Sequence, residues 1–140
     1  MFTLKTNSSF DSAHFLSGYE GKCANIHGHR WSVEVEVGSD CLDSEGNTRG
    51  MIVDFSKLKE DLKFITDYLD HCLIIEKGTL KSKTMEALAE ENFRIEEMEF
   101  RPTAENFSQY FYKQMENKGY NVVRATVYET PNNCATYCES

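Results

Sequence analysis

The chain has 140 residues, with 15 Lys and Arg against 23 Asp and Glu, and a formal net charge of −8. That length is one domain's worth, 1–140, with room for a modest core, and the acidic balance without any basic block argues against a nucleic-acid partner. No apolar run is long enough to span a membrane, no charged-then-apolar leader opens the chain, and five cysteines without a framework spacing fit a reducing cytoplasm better than a disulfide scaffold.

Thr3 to Phe15 reads as a strand and contains Ser12-Ala13-His14. After a loop comes Cys23-Ala24-Asn25-Ile26-His27-Gly28-His29, which opens onto Arg30 to Val37, a strand by its alternation of apolar and polar residues. Asp54 to Leu69 reads as a helix, with Phe55, Leu58, Leu62, Ile65 and Leu69 on one stripe and Asp54 or Ser56 as its cap. Within Glu76 to Phe100, Thr84 to Asn92 reads as a short helix and Arg94 to Phe100 as a strand or extended loop. Thr103 to Lys118 reads as a second main helix. Thr103 caps it, Glu105 puts an acid in its first turn, Gly119 ends it, and Phe107, Tyr110, Phe111 and Gln114/Met115 trace its buried side. Asn121 to Glu129 is a further strand, and a short piece follows near Ala135 to Tyr137. The order of elements argues α+β with a four-stranded antiparallel sheet and two main helices on one face.

The chemistry concentrates in a few residues. On a strand, His27 and His29 point to one face, so two imidazoles can grip one transition metal. Gly28 between them adds no side chain and lets the backbone approach closely. His14 is the candidate third ligand, and three neutral imidazoles with an open fourth position is the catalytic zinc arrangement. Cys23 either closes that site as a fourth ligand or stays beside it as a proton acceptor. Asp70-His71 places a carboxylate beside an imidazole at a helix end, which orients a proton carrier or simply favours the helix terminus. Glu129 ends an apolar strand. Asp40, Asp43, Glu45 and Gly46 fail the spacing of a calcium loop, and Cys134 and Cys138 stand too far apart on a strand to share a metal or a disulfide.

Ser12-Ala13-His14, Cys23-x-x-x-His27-Gly28-His29, Gly50-Met51-Ile52-Val53-Asp54-Phe55, Leu69-Asp70-His71, Pro102-Thr103-Ala104-Glu105-Asn106 and Tyr128-Glu129-Thr130-Pro131 together resemble the 6-pyruvoyltetrahydropterin synthase / 6-carboxytetrahydropterin synthase family. The blocks run from Phe10 to Pro131, nearly the whole chain. The spacing of Cys23, His27 and His29 is similar to the bacterial 6-carboxytetrahydropterin synthases of queuosine biosynthesis. After Leu69-Asp70-His71 this chain reads Cys72-Leu73-Ile74-Ile75, where relatives often carry Leu-Asn.

The resemblance implies the tunnelling fold, closed into an oligomeric barrel and stacked as a homohexamer, a dimer of trimers. It implies Zn2+ on His14, His27 and His29, with Cys23 as base and Asp70 with His71 as proton relay across a subunit interface. Glu129 would anchor the pterin ring, and Thr103 and Ala104 would add contacts. The implied reaction converts 7,8-dihydroneopterin triphosphate to 6-carboxy-5,6,7,8-tetrahydropterin, acetaldehyde and triphosphate. One rival is the pyruvoyl product, formed by elimination without carbon–carbon cleavage. A rival of another class is a non-catalytic zinc-binding scaffold, which would have no need of Cys23, Asp70, His71 and Glu129 together.

Overall fold

A computed structural model describes all residues, 1–140. Its elements are β1 (Phe2–His14), a single 3-10 turn (Lys22–Ala24), β2 (His27–Ser39), α1 (Phe55–Leu69), β3 (Cys72–Glu76), α2 (Ser82–Glu90), β4 (Ile95–Met98), α3 (Ala104–Asn117), β5 (Val122–Thr130) and β6 (Asn133–Tyr137). They form one six-stranded sheet in the order β4-β3-β1-β2-β5-β6. No helix is long and apolar enough to cross a membrane.

The antiparallel part follows the expected elements: β1 pairs with β2, β2 with β5 and β5 with β6. The expectation of four antiparallel strands is corrected by β3 and β4. Both run parallel, β3 against β1 and β4 against β3. Parallel neighbours need a crossover, and α2 supplies it between β3 and β4. Cys72-Leu73-Ile74-Ile75 lacks alternation because this strand is covered on both faces; Ile74 and Ile75 are both buried. Such a short apolar run carries no period to read.

Alternation along β2 sorts the molecule. Trp31, Val33, Val35 and Val37 are buried against the helices, while Arg30, Ser32 and Glu34 stand on the opposite, polar face. Leu58, Leu62, Ile65 and Leu69 of α1 and Phe107, Phe111 and Met115 of α3 cover the apolar side. Phe55 does not join the stripe expected of it: at the first turn of α1 it is 62% exposed. Asp54 caps α1 by accepting from the Ser56 amide at 2.7 Å, and Thr103 caps α3 by accepting from the Asn106 amide at 3.2 Å. The short helix expected at Thr84 to Asn92 is present as α2, beside the two main helices, and buries none of its residues.

Leu62 is fully buried and Phe64, two residues on, is 71% exposed. Leu62→Ala should therefore destabilise the fold by roughly 2–5 kcal/mol, and Phe64→Ala by no more than about 0.5 kcal/mol. Urea unfolding of the two variants checks the assignment of the α1 face.

Candidate metal centre and adjoining clefts

The site is an extension of the core pattern. His27 and His29 share the face of Trp31 and Val33, because side chains on one strand repeat with period two. His14 stands directly across from His27, and Ser12 directly across from His29. The rings of His14 and His27 lie 4.5 Å apart and those of His27 and His29 4.9 Å. Trp31 forms the floor beneath them, 5.0 Å from His14 and 5.4 Å from His29.

Two backbone carbonyls decide the tautomers. His14 Nδ1 lies 2.8 Å from the Pro102 carbonyl, and His27 Nδ1 lies 2.7 Å from the Asn25 carbonyl. A carbonyl can only accept, so each Nδ1 carries the proton and each Nε2 presents a bare lone pair. These two Nε2 atoms face each other at 3.1 Å. Two lone pairs at that distance repel unless a cation lies between or beside them. Burial holds His14 well below its ordinary value, at about 4, against the Pro102 carbonyl, which favours the charged form; His27 and His29 lower it further. His14 is therefore uncharged near neutrality.

Glu129 completes the group. Its Oε1 lies 2.8 Å from His29 Nε2 and 3.9 Å from His14 Nε2. Nevertheless, His29 Nε2 is buried without a properly aligned hydrogen bond. Burial also lowers the His29 pKa, with Glu129 opposing. The ligand atoms of His14, His27, His29 and Glu129 all lie within 4.8 Å of one another. Tetrahedral ligands at about 2.0–2.2 Å from one ion would stand on the order of 3.4 Å apart. Two opposed lone pairs, an unpartnered third nitrogen and a nearby carboxylate fit a bound metal ion. The carbonyls of Pro102 and Asn25 fix the orientation of the two rings, as the outer partners of metal-binding histidines do.

Cys23 lies outside this group. It sits half-buried in the 3-10 turn, and its carbonyl accepts from the Leu16 amide at 2.9 Å, tying the loop together. Thr103 spends its hydroxyl on the α3 cap, and Ala104 is buried in the core. Neither lines the clefts described below. They flank Pro102, so α3 is joined to the metal centre through its first turn.

Asp70 and His71 form a second cluster. His71 Nδ1 lies 2.7 Å from Asp70 Oδ2, and Asp70 Oδ1 accepts from the Asp11 amide at 2.7 Å. That amide bond, ahead of His71, holds the Asp70 carboxyl below its usual range. His71 has a φ of 59°, the left-handed region that non-glycine residues avoid. Its amide donates to the Asp11 carbonyl at 2.7 Å, which locks the turn. The His71 side chain is 79% exposed. It lines a cleft of about 590 Å³ with Arg30, Arg94 and Phe93. A second cleft of about 650 Å³ is lined by Glu129, Tyr128 and Ser32, and both clefts reach Gly28 and His29.

Sequence reasoning missed the two carbonyls and the closeness of Glu129 to the imidazoles. Only the pairing of β2 with β5 could have signalled the latter: Val33 opposes Val127, so Glu129 shares the histidine face.

The lowered His14 pKa gives a sign to the acid response of the metal-free protein. The unfolded chain protonates His14 near 6.5 and the folded chain near 4. Between those values the unfolded state holds more protons, so stability falls as pH drops. The loss should be on the order of 3 kcal/mol. Denaturant unfolding of metal-free wild type and His14→Gln across this window checks it: the wild type should lose more stability, and parallel curves would rule the effect out.

The sequence model of the 6-pyruvoyl tetrahydropterin synthase family matches residues 3–140. The chain is 32% identical over 142 residues to the 6-carboxy-5,6,7,8-tetrahydropterin synthase of Haemophilus influenzae, covering 99% of this chain and 100% of that one. Among solved structures, the 6-pyruvoyl tetrahydropterin synthase of Caenorhabditis elegans superposes with a TM-score of 0.68 at 26% identity, covering 99% and 96% of the two chains. An uncharacterized protein of Wolinella succinogenes, at 19% identity with 99% and 98% covered, has the same fold with a TM-score of 0.78. By sequence along its whole length and by fold, the chain belongs to the 6-pyruvoyl tetrahydropterin synthase family.

Proposed function

We propose that this pterin synthase acts as a single domain on 7,8-dihydroneopterin triphosphate, as a zinc-dependent lyase. It consumes one water and releases 6-carboxy-5,6,7,8-tetrahydropterin, acetaldehyde and triphosphate, in the 7-deazapurine branch that leads to queuosine, in the cytoplasm. The observation that carries the reading is the pair of bare Nε2 atoms of His14 and His27 with His29 and Glu129 beside them.

His14, His27 and His29 would hold Zn2+, an ion suited to imidazole. When bound, the ion acidifies the hydroxyls of the substrate side chain. Cys23 takes a proton from that side chain, and His71, oriented by Asp70, carries protons to and from it. Glu129 lines an open cleft, and its carboxylate would accept two parallel N–H bonds from the amino-pyrimidinone edge, fixing the ring. Thr103 and Ala104 would support the ring from the start of α3. The exposure of Asp70-His71 and the open edges at β4 and β6 support a homohexamer in which one subunit's dyad serves its neighbour's metal centre.

A second reading, the pyruvoyl product, is favoured by the name of the matching family and of the Caenorhabditis elegans structure. Mass identification of the products from dihydroneopterin triphosphate separates the two. Acetaldehyde and a carboxypterin support cleavage, whereas a pterin that keeps all three side-chain carbons supports the rival.

Two variants test the assignment of roles. His27→Ala should lose its zinc; full occupancy in that variant would overturn the ligand set. Cys23→Ala should keep its zinc and lose turnover by about 10²–10⁴-fold, the range for removal of a general base. Loss of zinc in that variant would instead make the thiol a ligand.

Shared sites make a further outcome testable. Cys23→Ala and His71→Ala proteins, each inactive, should regain part of the activity when dissociated and reassembled together. Verified mixed oligomers that stay inactive would argue against a site built from two chains.

A further inference from the structure

The serine of Ser12-Ala13-His14 has no place in the scheme above. Its side chain lies on the histidine face of β1, between buried Phe10 and His14, and the residue is only 6% exposed. Its hydroxyl is buried and has no hydrogen-bond partner. An orphaned hydroxyl in a well-packed strand is destabilising and calls for a reason. The fold supplies none, because an alanine would fill the same position without an unmet polar atom.

The metal centre has a matching gap. His14 and His27 each have a carbonyl on the nitrogen remote from the cluster, Pro102 for one and Asn25 for the other. His29 has no carbonyl of this kind. Ser12 is its direct cross-strand partner. Side chains so paired have Cβ atoms about 4.5–5.5 Å apart, within reach of a hydroxyl and an imidazole nitrogen.

We infer that Ser12 is a positioning residue for the metal centre. Its Oγ accepts the Nδ1–H of His29 when the His29 Nε2 lone pair is given to the ion. That contact fixes the tautomer and the ring plane of the third ligand, as the two carbonyls do for the others. The inference rests on the metal reading proposed above.

The test is zinc affinity, measured by competition with a chromophoric chelator, in wild type and Ser12→Ala. Affinity should fall roughly 10- to 100-fold, while the metal-free variant unfolds at the same urea concentration as wild type or a higher one. A merely structural serine would do the reverse. In addition, proton NMR of the zinc-loaded protein should show a slowly exchanging His29 N–H in wild type that Ser12→Ala loses and Ser12→Thr keeps. Equal zinc affinity in wild type and Ser12→Ala, or a His29 N–H signal unchanged in that variant, overturns the inference alone. A wild type that binds no zinc overturns the metal reading and this inference with it.

Discussion

A one-residue slip between β1 and β2 would turn every side chain of one strand to the opposite face. The observed register sets Phe10 opposite Trp31, Ser12 opposite His29 and His14 opposite His27. Core and histidine cluster are therefore consecutive stretches of one ladder on one face. The Phe10 ring lies 6.0 Å from Trp31, and Trp31 in turn 4.9 Å from Phe107 of α3. Burying those rings fixes the register by hydrophobic burial, the largest favourable force in the fold. The same register then brings two imidazoles to 3.1 Å, a placement that their own polar interactions would oppose. The core thus holds together a cluster that is unfavourable without a cation, in the way functional sites store strain held by the surrounding structure.

The second cluster is held by backbone. At its end nearest β3, β1 offers the amide and carbonyl of Asp11, which β3 does not take because pairing starts one residue later, at Ser12 with Cys72. Asp70 and His71 occupy that gap, one by its carboxylate and the other by its amide. The left-handed φ of His71 is the consequence. Arg94 adds a contact from its guanidinium to the Asp70 carbonyl at 3.3 Å. The geometry of the dyad thus depends on where β1 stops pairing, not on the two side chains alone.

This division explains what could be read in the sequence. Elements whose role is one-sided burial announce themselves: the alternation in β2, the stripes on α1 and α3, the caps at Asp54 and Thr103. So does the His27 and His29 pair, which shares a face if it lies on a strand; His14 joins it through the pairing of β1 with β2. Phe55 fits the α1 stripe by spacing yet is largely exposed, on the wall of a cleft that it shares with Phe2, Met51 and Val53. What is covered on both faces loses its period, so β3 was invisible as a strand. What is contributed by backbone has no side-chain signature at all, and that includes the Pro102 and Asn25 carbonyls. The approach of Glu129 to His29 depends on a strand pairing between segments nearly a hundred positions apart.

The two clusters differ in how far the chain completes them. The candidate metal site draws its side chains from β1, β2 and β5 and its outer carbonyls from the residues before β2 and α3. His14 within it is only 1% exposed. The dyad is laid open, with His71 at 79% exposure on the wall of a cleft that also carries two arginines. Exposure here is not looseness: both Asp70 oxygens are engaged and the His71 amide is bonded, so the imidazole is held in one setting. With a net charge of −8, the surface as a whole repels anions. In the cleft beside His71 the two arginines are each paired with an acid, Arg30 with Asp11 at 3.1 Å and Arg94 with Glu96 at 3.2 Å, so their charge is largely balanced within the wall itself.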